Sequence, residues 1–102
     1  MKNYKVEVAY TAKMDIDRLS DFLVTIMSIE GAWRYMETMR QEILSLSIFA
    51  GLYQPSRSII LRRIHPYARR MLSHNRRWNY VFHIEDNTVV LDRILPSKMI
   101  VI

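Results

Sequence analysis

The side chains best suited to chemistry lie in the second half of this chain. Arg57, Arg62, Arg63, Arg69, Arg70, Arg76 and Arg77 fall within residues 57–77, with no lysine and no acidic residue among them. Arginine presents a planar fork of donors that matches phosphate and carboxylate. His65, Tyr67, His74, Trp78 and Tyr80 are interleaved with these cations. Metal-free cleavage of RNA needs a base for the 2′-hydroxyl, an acid for the leaving 5′-oxygen and cations for the phosphorane charge. His83, Tyr67 and His74 can move protons, and Arg69, Arg70, Arg76 and Arg77 can supply charge. His83 is the best placed, because its strand has the clearest pattern. The plainer reading is a solvated basic face with structural histidines, which is the commoner meaning of a charge run. Asp92 and Arg93 read as cross-strand or edge charges. The three histidines are spaced badly for a metal, and no carboxylate cluster accompanies them. No metal ion and no cofactor are expected.

The balance of charge sharpens the point. The chain has 102 residues and a formal net charge of +5. Residues 1–56 and residues 78–102 each sum to −1, so the whole excess sits between them. Such a segment attracts a polyanion or an acidic partner. A chain of this length is expected to be a single domain over residues 1–102. It contains no cysteine, which excludes disulfides, thiolate-bound metal and a cysteine nucleophile, and fits a reducing cytoplasm. No apolar run is long enough to span a membrane. Met1 to Tyr10 alternates rather than forming the apolar core of a signal peptide.

The elements that would position these groups follow from periodicity. Asn3 to Tyr10 alternates as a half-buried strand. Thr11 is the expected N-cap of a helix over about residues 12–29, with Asp15 and Asp17 near its positive end. Gly31 is expected to break that helix. Ala32, Met36, Met39, Ile43 and Leu46 then mark a second helix over about residues 32–48, antiparallel to the first. Residues 49–58 read as a loop. Ile59 to Ile64 is rich in β-branched residues and predicts a short strand, interrupted at His65-Pro66. Tyr67–Ser73, Trp78–Glu85 and Thr88–Leu95 predict three strands, with turns at His74-Asn75 and Asp86-Asn87. Arg69 and Arg70 should then point to opposite sheet faces, one of them packed under the helices or paired with an acid. The fold class is α+β: an N-terminal strand, an antiparallel helical hairpin, then a C-terminal antiparallel three-strand meander.

This order resembles the RelE/ParE toxin superfamily of bacterial toxin–antitoxin modules. The resemblance spans nearly the whole chain. It starts with Tyr4-Lys5-Val6-Glu7-Val8 leading into Thr11-Ala12 and a helix with Asp17. It continues through a hairpin with Ala32 at the start of its second helix and Leu46 near its end. It closes on Tyr67 to Leu72, then Trp78-Asn79-Tyr80-Val81-Phe82-His83-Ile84-Glu85-Asp86, then Thr88-Val89-Val90-Leu91-Asp92-Arg93-Ile94-Leu95.

The branch decides the function that the resemblance implies. The ribosome-dependent ribonuclease branch uses basic side chains, sometimes with Tyr, His or Glu, on its sheet. The gyrase-poisoning branch acts by binding. Asn79 stands where the ribonuclease branch has an arginine in its penultimate strand. Only Lys98 remains of the basic end after the last strand, within Ser97-Lys98-Met99-Ile100. Arg69 and Arg70 match loosely a lysine pair before the turn. These departures favour a ParE-like poison of DNA gyrase. The alternatives are a RelE-type mRNA endoribonuclease, with Arg69, Arg70, His83 and Lys98 as its catalytic set, and an inactive module that only binds its antitoxin.

The resemblance also implies a cognate antitoxin whose C-terminal segment wraps the toxin and neutralises its basic face. The residues expected to meet the antitoxin or the target are Arg57, Arg62, Arg69, Arg70, Arg76, Arg77, Lys98, Met99 and Ile100. The apolar tail Met99-Ile100-Val101-Ile102 is expected either to add a strand or fold back on the core, or to form part of the groove that the antitoxin covers. A toxin–antitoxin hetero-oligomer or a homodimer is expected in the cytoplasm, with no membrane association.

Overall fold

The computed structural model describes residues 3–99. Ile100, one of the expected partner-binding residues, and the rest of the apolar tail lie outside the described residues. The elements are β1 (Lys5–Val8), α1 (Tyr10–Ile26), α2 (Ile29–Phe49), a 3-10 turn (Ala50–Leu52), α3 (Ile59–Ile64), β2 (Arg69–Leu72), β3 (Trp78–Glu85), β4 (Thr88–Pro96) and a second 3-10 turn (Ser97–Met99). The four strands form one sheet in the order β1-β4-β3-β2. The last three make the antiparallel meander, while β1 runs parallel to β4 with Val6 opposite Val89. A parallel pair needs a crossover, and the α1–α2 hairpin supplies it. The fold is therefore the expected α+β arrangement.

The hairpin covers one sheet face. Alternation along β3 and β4 turns Tyr80, Phe82, Val89, Leu91 and Ile94 toward Leu19 and Leu23 of α1 and Met39, Ile43 and Leu46 of α2. Two polar ties fix the helices to this face. Tyr80 Oη donates to Glu42 Oε1 at 2.6 Å, and the His74 amide donates to Glu42 Oε2 at 2.6 Å. Asp15 of α1 accepts from Arg93 Nε at 2.7 Å, from Arg93 Nη2 at 3.1 Å and from the Ile94 amide at 2.9 Å.

Several local expectations are corrected. Ala9, not Thr11, is the N-cap of α1. Thr11 lies in the first turn and its hydroxyl donates to the Asp92 carbonyl at 2.7 Å. No acidic residue falls in that first turn, so Asp15 serves tertiary structure rather than the helix dipole. Gly31 does not break the hairpin. The break is at Met27-Ser28, because the Ser28 side chain caps α2 by accepting from the Gly31 amide at 3.0 Å. Ile59–Ile64 is a helix, not a strand. Ser58 is its N-cap, and β-branched Ile59, Ile60 and Ile64 do not override a capped turn that buries Leu61 completely. His65 ends it, since the residue before Pro66 is driven to extended geometry and sits at φ −157°, ψ 140°.

Candidate functional site

The sheet face turned away from the hairpin carries the chemistry. Alternation places Asn79, Val81, His83, Leu95 and Asp92 on it. Its small apolar cluster is Leu61, Ala68, Val81 and Leu95, with Ile64 packed against it. β4 slips register between Val81, opposite Arg93, and Phe82, opposite Leu91. That irregularity leaves Asp92 without a cross-strand partner and re-aims its carboxylate. His83 Nδ1 lies 2.6 Å from Asp92 Oδ2. An ionised carboxylate only accepts, so Nδ1 carries the proton and Nε2 is left to take or give one. Glu85 Oε2 is 3.9 Å from that Nε2. The His65 ring stacks on the His83 ring, with centroids 3.7 Å apart and planes 3° from parallel. His65 Nδ1 accepts from the Tyr67 amide at 3.1 Å, which fixes the His65 ring. The His83 side chain is 8% exposed, so this acid–base pair is covered.

The cations divide into separate groups. Arg69 turns toward the hairpin side, where its Nη1 donates to the Tyr53 carbonyl at 2.6 Å and its buried Nε has no partner among the described residues. It meets a carbonyl rather than the acid that was one expectation for it. Arg70, opposite Val81 in the ladder, lies on the His83 face and is half-buried. Arg57, Arg62 and Arg63 are exposed on and beside α3. Arg76 and Arg77 are exposed in the β2–β3 turn. Ser97 ties the second 3-10 turn to that same end, its amide donating to the Arg77 carbonyl at 2.9 Å and its hydroxyl to the Arg76 carbonyl at 2.8 Å. Lys98 and Met99 are therefore held beside Arg76 and Arg77, and both are exposed.

Arg76 has φ 65°, in the left-handed region that costs an L-residue about 1–2 kcal/mol. His83 lies five residues beyond Trp78, the start of β3 next to this turn, about 16 Å at 3.3 Å per residue. The structure thus gathers Arg76, Arg77 and Lys98 at one end of the sheet and places Arg70 on the His83 face. It does not bring Arg69, Arg70, His83 and Lys98 together. Asn79 is 1% exposed, and its amide nitrogen and oxygen both lack partners among the described residues. The roles of Asp92 and His65 beside His83 were missed from sequence. One depends on a bulge, the other on α3 being a helix whose C-cap residue is delivered to the sheet. Among the described residues no group of three metal-binding side chains converges.

A second feature lies on the hairpin side. A groove of about 370 Å³ runs between α2 and the edge strand β1, lined by Val6, Val8, Ile16, Trp33, Ile43 and Leu44. Trp33 is 67% exposed beside it, and Ile29 and Leu44 continue an exposed apolar stripe along α2. Arg40 and Glu37 stand at its rim. Among the described residues, no helix is long and apolar enough to cross a membrane.

No protein-family model and no curated protein matches this sequence. Solved structures do. A chain of the chromosomal ParDE TA system from P. aeruginosa superposes with a TM-score of 0.76, covering 91% of this chain and 95% of that one at 16% identity. The likeness is one of fold, and the fold is ParE-like.

Proposed function

We propose that this chain is the toxin of a type II toxin–antitoxin module, that it arrests growth by binding and poisoning DNA gyrase, and that a cognate antitoxin neutralises it in the cytoplasm. The observation that carries the reading is the ParE-like fold, matched over nine-tenths of the chain to a ParDE TA system. Binding rather than cleavage is supported by the dispersal of the cations. Arg76, Arg77 and Lys98 form an exposed basic end remote from the covered His83–Asp92 pair, and Arg69 is engaged with Tyr53. Asn79, at the position that resembles the ribonuclease arginine, is buried and uncharged. The basic end suits an acidic protein surface or DNA. The apolar groove beside β1 suits an antitoxin segment, because a sheet edge offers unpaired backbone groups and the groove offers pockets for alternate side chains.

One observation favours a second reading, a ribosome-dependent endoribonuclease: an aspartate-oriented histidine is a competent general base once exposed. Pulse labelling after induced expression in bacteria separates the two. Early loss of DNA synthesis with translation intact is the expected result. Early loss of translation, abolished by His83→Ala, overturns the gyrase reading in favour of the nuclease.

A further inference from the structure

The chain is pinned where it leaves and rejoins the fold around α3. The Ser56 amide donates to the Ala68 carbonyl at 2.7 Å, closing residues 57–67 into a compact Ω-type loop. Every hydrogen bond made by those residues, among the described ones, stays inside the segment or goes to the pinning residues Ser56 and Ala68. Ser58 N donates to Ser56 Oγ, Leu61 N to Ser58 Oγ, Arg62 Nε to the Ser56 carbonyl and Tyr67 N to His65 Nδ1. The Arg62, His65 and Ala68 amides donate to Ser58, Leu61 and His65 carbonyls. What fastens the segment to the sheet is Leu61, fully buried against Val81 and Leu95, with Ile64 beside it, and the stack of His65 on His83.

The covered state also carries a cost. Asn79 lies on the same sheet face as Val81 and Leu95, the residues Leu61 packs against, and among the described residues neither polar atom of its buried amide is paired. A six-residue helix has too few turns to persist on its own, so it depends on those few apolar contacts.

We propose that residues 57–67 are a lid that opens as a unit about the Ser56–Ala68 pin and uncovers Asn79 and the His83–Asp92 pair. Among the described residues, opening about the pin breaks no hydrogen bond to the fold beyond Ser56 and Ala68. It withdraws Leu61, separates the two imidazoles and returns water to the Asn79 amide. Closed, the lid covers a face of the His83 ring through His65 and governs the access of any reactant or partner to it. This inference does not depend on which cellular target the protein has.

Backbone amide exchange followed by NMR on the full chain tests it, together with labelling of histidines by diethyl pyrocarbonate. The Arg62 and His65 amides are expected to exchange at least 100-fold faster than those of β3. His83 is expected to be modified more slowly than exposed His74, yet long before β3 amides exchange. Asn79→Leu removes the unpaired amide at similar volume and should slow both lid exchange and His83 modification several-fold. Leu61→Ala should speed both while β3 stays protected. Lid amides that exchange only in step with β3 overturn the proposal. So does an Asn79→Leu variant that leaves both rates unchanged or raises them, and this variant decides the matter if Leu61→Ala fails to fold.

Discussion

Tyr80 and Glu42 join the centre of the sheet to the middle of the long helix: the fully buried phenol donates to Glu42 Oε1 at 2.6 Å. Burial first, and then the bond to Glu42, holds the Tyr80 phenol well above its ordinary pKa, so it remains a donor at every physiological pH. The second Glu42 oxygen accepts from the His74 amide, so one carboxylate clamps β3 and the β2–β3 turn to α2. Tyr80→Phe keeps the ring and deletes the donor. It should destabilise the fold by about 1.5–3 kcal/mol, the range for a hydrogen bond to a charged group. Urea unfolding with unchanged slope and a lowered midpoint checks this. In a double-mutant cycle Glu42→Gln should cost much less on the Tyr80→Phe background than alone.

Asp15 and Arg93 make the matching tie for α1. The carboxylate is 10% exposed and the guanidinium 35% exposed, and the bond to Asp15 is the main cause of the raised Arg93 pKa. Asp15 also accepts from the Ile94 amide, so its removal orphans a backbone donor beside the buried Ile94 side chain. Asp15→Ala is therefore expected to cost about 2–4 kcal/mol, more than a surface ion pair. Asp15→Asn keeps an acceptor for Ile94 and should cost about half as much. Thermal unfolding of the two variants gives the order; equal losses would leave the Ile94 bond with no measurable share.

The parts of the fold that repeat a period were legible in the residues. Trp78–Glu85 alternates cleanly, and Asp86 takes the positive φ of 54° that its turn requires, so the meander could be read directly. The α2 stripe Ala32, Met39, Ile43 and Leu46 is buried as its spacing predicts. Local propensity misled where a cap decided the outcome. Ser28 and Ser58 start helices that Gly31 and the isoleucines at 59, 60 and 64 disguised. The site was less legible than the fold. His83 was recognisable from its strand, but its partners come from a slipped register at Asp92 and from the end of α3 at His65, and neither leaves a local signal. The seven arginines formed one run in sequence. The topology splits them among the lid, both sheet faces and one turn.

The groove beside β1 predicts a separation of toxicity from neutralisation. Trp33 and Leu44 line it and are 67% and 43% exposed, so charging them disturbs little packing. Trp33→Asp and Leu44→Asp should change folding stability by no more than about 1 kcal/mol. Each should still arrest growth when expressed alone, yet resist rescue by the co-expressed antitoxin. Rescue as efficient as for the unaltered chain would move the antitoxin off this groove.

The basic end predicts the opposite separation, between stability and activity. Arg76 holds φ 65° in a turn where glycine would sit without strain. Its amide donates to the Ser73 carbonyl and its own carbonyl accepts from Ser97, and both bonds use backbone atoms that any residue provides. The arginine side chain therefore does not build the turn, and it occupies a conformation that penalises it. Arg76→Gly relieves that strain but gives the unfolded chain more freedom, so the net gain should be about 0.5–1 kcal/mol. If the exposed cations engage the target, the same change should weaken growth arrest, and Arg77→Glu with Lys98→Glu should abolish it while the fold persists. Unfolding midpoints, measured beside the rate of DNA synthesis after induction, check both halves. A stabilised Arg76→Gly chain that arrests DNA synthesis undiminished, together with full activity of the Arg77→Glu, Lys98→Glu chain, would remove the basic end from the target interface and leave the face beneath the lid as the surface to test.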